Sequence, residues 1–189
     1  IAAIWTLITL IKPIIEGMKI SVKSMNSSAA ERETHRMDTD MSTKSVLIVF
    51  AIILIGLVIT FWDFVSAVPI SAGLMWTLVV VGVVVALLIG FFVAAACGYM
   101  AGLIGTSASP ISGIGILATI ISSLVVYFIA SENNLFATQA GVQFATAMAI
   151  FMTSVVIAIA SISNDNLQDL KTGQLVGATP WRQQIALLL

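Results

Sequence analysis

The chain has 189 residues, of which 59% are hydrophobic and 9% are charged, and its mean hydropathy is +1.10. A soluble domain carries about 25% charged residues, so this composition excludes an ordinary water-soluble domain and predicts an integral membrane protein. The net charge of −1 gives no indication of nucleic acid as a partner. We expect an all-α, polytopic transmembrane helical bundle.

Five apolar segments along the chain are predicted to span the membrane, since a spanning helix needs about 20 apolar residues. The alternation of polar and apolar residues that is typical of outer-membrane barrels is not seen. The chain begins without Met and ends inside an apolar run, so we expect residues 1–189 to be one membrane-domain fragment of a longer protein. The predicted spans are approximately 1–20, 46–61, 73–97, 111–130 and 142–162, and a sixth begins at 185.

The distribution of basic residues predicts the orientation of these spans, because cytoplasmic loops are enriched in Lys and Arg. The loops 62–72 and 131–141 each contain one acidic residue and no base. If loop 21–44 lies in the cytoplasm, counting crossings places loop 163–184 there too and both base-free loops outside. The eight basic residues are Lys12, Lys19, Lys23, Arg32, Arg36, Lys44, Lys171 and Arg182.

The connection between the third and fourth spans is unusual because it carries no charge. The whole segment 64–131 contains no Asp, Glu, Lys, Arg, His, Asn or Gln. Within it, 98–115 is rich in Gly and Ser and includes Pro110, which removes a backbone donor and disfavours helix at Ser109. Irregular backbone persists at membrane depth only where it is packed in protein or lines a wet cavity. The sequence therefore predicts a broken or re-entrant segment.

This Gly/Ser/Pro segment is also the predicted substrate path. Freed carbonyls and helix termini near the bilayer midplane hold ions and charged substrate ends in transporters. Glycine lets a ligand approach the backbone, and hydroxyl groups both donate and accept hydrogen bonds. A tight turn between two packed helices is the alternative interpretation. The predicted path residues are Tyr99, Gly105, Thr106, Ser107, Ser109, Pro110, Ser112, Gly113 and Gly115.

Catalytic and metal sites are not expected. The single cysteine, Cys97, and the single histidine give no cluster with metal-ligand spacing, so we predict no metal and no cofactor. The Ser and Thr residues of the spans have no base beside them, which makes an intramembrane enzyme a weak alternative. A non-transporting scaffold or channel is the other alternative. The polar segment before the last apolar run is expected to form a boundary helix, with Thr179 as its cap and Pro180 in its first turn.

Two stretches carry a family resemblance, GYMAGLIGTSASPISGIGILA and DNLQDLKTGQLVGATPWRQQIALLL, and the earlier IWTLITLIKPIIEGMK is similar too. The three stretches, in the order in which they occur along the chain, resemble the oligopeptide transporter family, in its bacterial branch close to the yellow-stripe-like metal-chelate transporters. Family members often have Asn directly before the proline of such a break, where this chain has Ser109.

The resemblance implies a secondary transporter that is multi-pass in the bacterial inner membrane. It implies import of small oligopeptides or peptide-like metal chelates, coupled to protons. The further partners that it implies are membrane lipid and the remainder of the same transporter chain.

Overall fold

A computed structural model describes residues 39–188 together with Trp5, Ile8, Thr9, Ile11, Lys12, Ile15, Glu16 and Lys19. The described residues contain helices and no strand, which confirms the all-α prediction for this part of the chain. The helices are α1 (Thr43–Ser66), α2 (Ala72–Ile104), α3 (Ile111–Glu132), α4 (Gln139–Leu175) and α5 (Pro180–Ala186), with single 3-10 turns at Thr106–Ala108 and Leu135–Ala137.

The predicted first span, 1–20, is described only in part. The residues described between 5 and 19 all have helical backbone. The rest of that span, and the predicted loop 21–44 up to residue 38, lie outside the described residues.

Four of the described helices, α1 to α4, are long and apolar enough to cross a membrane. At about 1.5 Å per residue, α1 and α3 are about 36 and 33 Å long, close to the thickness of the hydrocarbon core. The helices α2, with 33 residues, and α4, with 37 residues, are longer than one perpendicular crossing requires.

The largest difference from the predicted boundaries is at the polar end of α4. This helix continues to Leu175, so the first half of the expected loop 163–184 is helical. It ends in a Schellman motif, in which Gly177 has φ of +75° and the Ala178 N–H donates to the Gly173 carbonyl at 2.8 Å. The polar residues that suggested a loop instead form an extension of α4, and a glycine two residues beyond Leu175 ends it.

The short helix α5 follows directly. It begins at Pro180 with Thr179 at the N-cap, as the Thr-Pro pair predicts. Its start therefore precedes position 185, where the sixth apolar run was expected to begin. The cytoplasmic location of this end of the chain stays a prediction.

The described chain divides into two compact units. The first comprises Ile1–Phe50, Ala95–Ser109 and Ile162–Leu189, and the second comprises Ala51–Ala94 and Pro110–Ser161.

The second unit has an apolar core built around aromatic rings. Phe61 and Met148 are completely buried there. The Phe61 ring meets Phe151 edge-on with centroids 5.1 Å apart, and Phe64 stacks on Phe151 at 4.2 Å. Such pairs contribute about 0.5–1.5 kcal/mol beyond the burial of their area. A Cβ at Gly82 would overlap the Phe61 ring, so α1 and α2 approach closely because this position has no side chain.

Candidate functional site

The chain leaves helical geometry directly after α2. Gly105 has φ of +108° and ψ of 166°, a conformation that residues with a Cβ rarely adopt. One 3-10 turn follows, and the Ser109 N–H donates to the Thr106 carbonyl at 3.2 Å. Ser109 itself is extended, and Pro110 takes the N-cap position of α3. The sequence-predicted interruption of the helix is therefore present, and its depth in the membrane stays a prediction.

Within the Gly/Ser/Pro segment 98–115, the irregular backbone is confined to residues 105–110. Residues 98–104 belong to α2, and Ser112, Gly113 and Gly115 lie in the first turns of α3. Within this segment, Gly98 serves packing and does not break α2. Gly98 is buried, and a Cβ there would lie 3.0 Å from the Ser163 hydroxyl oxygen. Close packing of this kind keeps a glycine helical despite its low propensity.

Ser109 fixes the interruption to α2 and α4 within the first unit. Its hydroxyl donates to Oδ1 of Asn164 and lies 3.3 Å from the Cys97 carbonyl oxygen. A hydroxyl has one hydrogen to donate and lone pairs to accept. The Ser109 hydroxyl therefore donates to one of these two oxygens at a time. Asn164 is only 3% exposed, so this contact is shielded from solvent.

Asn164 is the functional candidate that sequence reasoning missed, because it falls in the segment expected to be a loop. The signal was the spacing of buried positions on α4. Met152, Val156, Ala160 and Asn164 recur every four residues, and all four are at most 3% exposed. This spacing places Asn164 at the end of the buried face of α4. An amide is thus present at the break, supplied by α4 and not by the residue before the proline.

The remaining predicted path residues have other surroundings. Tyr99 is 42% exposed on α2, and the side chains of Ser107 and Ser112 are exposed as well. A Cβ on Gly115 would lie 3.4 Å from Cδ1 of Ile157, which is ordinary van der Waals contact. Of the predicted side chains, Ser109 is the one that the structure joins to a buried polar partner. The part of the others in a substrate path stays a prediction.

A groove of about 500 Å³ lies in the first unit, beside the polar half of α4. The Gln184 amide NH2 donates to Oδ1 of Asp40 at 3.1 Å, and Gln184 Oε1 accepts the Met41 N–H at 2.7 Å. The Lys171 ammonium donates to Oε1 of Gln174 at 3.0 Å. The two Gln184 bonds tie α5 to the segment before α1, and the Lys171 bond lies within α4, so two opposite charges are present at the groove. The residues lining it include Asp40, Gly102, Leu167, Lys171, Gln174 and Gln184.

The described helices define a class of protein: a polytopic membrane protein with four helices long and apolar enough to cross a bilayer. A family model described as "OPT oligopeptide transporter protein" matches residues 1–189, so the chain belongs to the oligopeptide transporter family. Members of this family are transporters, which confirms the expectation that the chain is not an enzyme.

One curated relative is 53% identical over 189 residues, a Haemophilus influenzae protein named "Putative oligopeptide transporter". The match covers 100% of this chain and 30% of that relative. No solved structure matches the chain.

Proposed function

We propose that this chain is part of a secondary transporter that imports small oligopeptides across the bacterial inner membrane. The family match and the printed name of the Haemophilus influenzae relative support peptides as the substrate class. The chain spans about 30% of that relative, and we propose that other parts of the transporter supply the rest of the path. Coupling to protons is proposed from the family resemblance of the sequence.

The observation that carries this proposal is the contact between Ser109 and the buried Asn164 at the helix break. Hydroxyl and amide groups bind peptide bonds without requiring a particular substrate side chain, because each can donate and accept. We propose that a peptide replaces the bond between Ser109 and Asn164 when it enters the break. The C-terminus of α2 lies at the same break and carries partial negative charge, which favours a substrate ammonium group. Such a site suits an importer that accepts peptides of different sequence.

The proposal is tested by uptake of a labelled tripeptide into proteoliposomes that contain the full gene product, under an imposed pH gradient. Asn164→Leu removes the amide while keeping a side chain of similar size. One interhelical hydrogen bond in a membrane is worth about 0.6–1.7 kcal/mol, so uptake should fall about 3- to 18-fold. Gln143→Leu is the matched control, since it removes an exposed amide from the same helix. Normal uptake by Asn164→Leu and Ser109→Ala at equal abundance would show that the break is only a packing turn.

Two further arms of this assay test the finer parts of the proposal. Accumulation above equilibrium that a protonophore abolishes supports proton coupling, whereas equilibration alone indicates a channel. Competition by unlabelled peptide but not by a peptide-like metal chelate supports the peptide assignment. A chelate that competes equally well would extend the substrate class to metal chelates.

A further inference from the structure

The groove of the first unit combines opposite charges with an apolar lining. Asp40 and Lys171 supply the charges, and the side chain of each is hydrogen-bonded to a glutamine amide. Leu167, Leu170 and Pro180 provide apolar surface beside them. The volume of about 500 Å³ is within the range of small-molecule sites, which is roughly 300–1,000 Å³. The groove therefore suits a small ligand that carries both a positive and a negative group.

Helix α4 connects this groove to the helix break. Asn164, Leu167 and Lys171 are three and four residues apart in turn, so they share one face of α4. Lys171 is about 10 Å from Asn164 along the helix axis, because each residue advances about 1.5 Å. That separation equals the length of about three extended residues. A short peptide that passes the break is thus within reach of the groove.

We propose that this groove is a subsite for the two free termini of a small peptide, with Asp40 binding the terminal ammonium and Lys171 the terminal carboxylate. The proposal rests on the proposed function of peptide import, and it narrows the substrate class to zwitterionic peptides. The glutamine bonds hold both charged groups before substrate arrives, which reduces the entropy lost on binding.

Blocked peptides test this assignment in the proteoliposome assay of the full gene product. The substrates are one tripeptide with free termini, its N-acetylated form and its C-amidated form. Exposed ion pairs are worth about 0.2–1 kcal/mol, so each charge should contribute up to about fivefold. Asp40→Asn should lower the preference for a free amino terminus by up to about fivefold and keep the preference for a free carboxylate. Lys171→Gln should lower the preference for a free carboxylate and keep the preference for a free amino terminus.

The control for these charge variants is Asp169→Asn, which removes an exposed carboxylate from α4 outside the groove lining. It should keep both preferences at the wild-type values. If Asp40→Asn and Lys171→Gln also keep both preferences, the groove assignment is wrong although peptide import stands. If the wild-type protein takes up no peptide, the proposed function and the groove assignment both fail.

A second variant fills the groove directly. Gly102 lines it, and a Cβ at this position would meet nothing within 4 Å. Gly102→Leu therefore has room for its Cβ, adds volume at the groove and replaces glycine with a better helix former. We expect a higher KM for the free tripeptide at unchanged abundance, whereas Gly56→Leu, at an equally open position on α1, should leave KM unchanged. An unchanged KM in Gly102→Leu would overturn the assignment.

Discussion

A double-mutant cycle of Ser109→Ala and Asn164→Ala measures the contact that holds the helix break. The two side chains are 55 positions apart in sequence, so no local helix preference links them. Double-mutant cycles in a membrane protein give about 0.6 kcal/mol on average for interhelical hydrogen bonds, with a maximum of about 1.7 kcal/mol. We expect a coupling free energy within this range.

The structure also predicts which of the two single variants, Ser109→Ala or Asn164→Ala, lowers the free energy of unfolding more by removing hydrogen bonds. After Asn164→Ala, the Ser109 hydroxyl keeps the Cys97 carbonyl oxygen at 3.3 Å as a partner. After Ser109→Ala, the buried Asn164 amide loses its Ser109 partner, which costs about 1–3 kcal/mol if nothing replaces it. The loss of polar contact should therefore be larger in Ser109→Ala. Asn164→Ala also leaves a small void where the amide was. Asn164→Leu removes the amide but fills this space, so comparing the two variants separates the loss of packing from the loss of the hydrogen bond.

The assay is the free energy of unfolding of the full gene product in mixed micelles, titrated with a denaturing detergent and followed by circular dichroism. Thr172→Ala combined with Ser109→Ala is the control cycle, because the Thr172 hydroxyl bonds within its own helix to the Gln168 carbonyl. That control pair should be additive within about 0.3–0.5 kcal/mol. A coupling of the same small size for Ser109 and Asn164 would refute the role given to their contact.

Three other measurements test local features of the fold and its orientation. Gly177→Ala should lower the free energy of unfolding by about 1–2 kcal/mol, since φ of +75° places a Cβ against the following carbonyl; no loss would refute the Schellman ending. Gly82→Ala should lower the free energy of unfolding by about 1–3 kcal/mol, because the added methyl group overpacks against the Phe61 ring. In a Phe61→Leu background the loss should be smaller, and simple additivity of the two substitutions would refute this contact. With the native cysteine replaced, an impermeant thiol reagent applied outside should label Asn134→Cys and not Ser28→Cys, and the opposite result would invert the predicted orientation.

Local chemistry explains what the sequence predicted correctly. Low charge and long apolar runs predict spanning helices in any tertiary context, because the bilayer requires internally paired backbone. The interruption was predictable because Gly105 permits positive φ and Pro110 disfavours continuation of a helix through Ser109. The Thr-Pro pair likewise marked the start of α5. Each of these features depends on residues that are near one another in the chain.

The sequence by itself determined the membrane class, the approximate positions of the four long described helices, the family and the position of the break. The tertiary structure decided that α4 continues through the polar segment, that Asn164 meets Ser109, and that Gln184 contacts Asp40 across 144 positions. Helix periodicity tells which face a residue occupies but not which distant side chain that face will meet. Those partners depend on how separate helices pack, so the polar contact at the break and the charged groove became visible only in three dimensions.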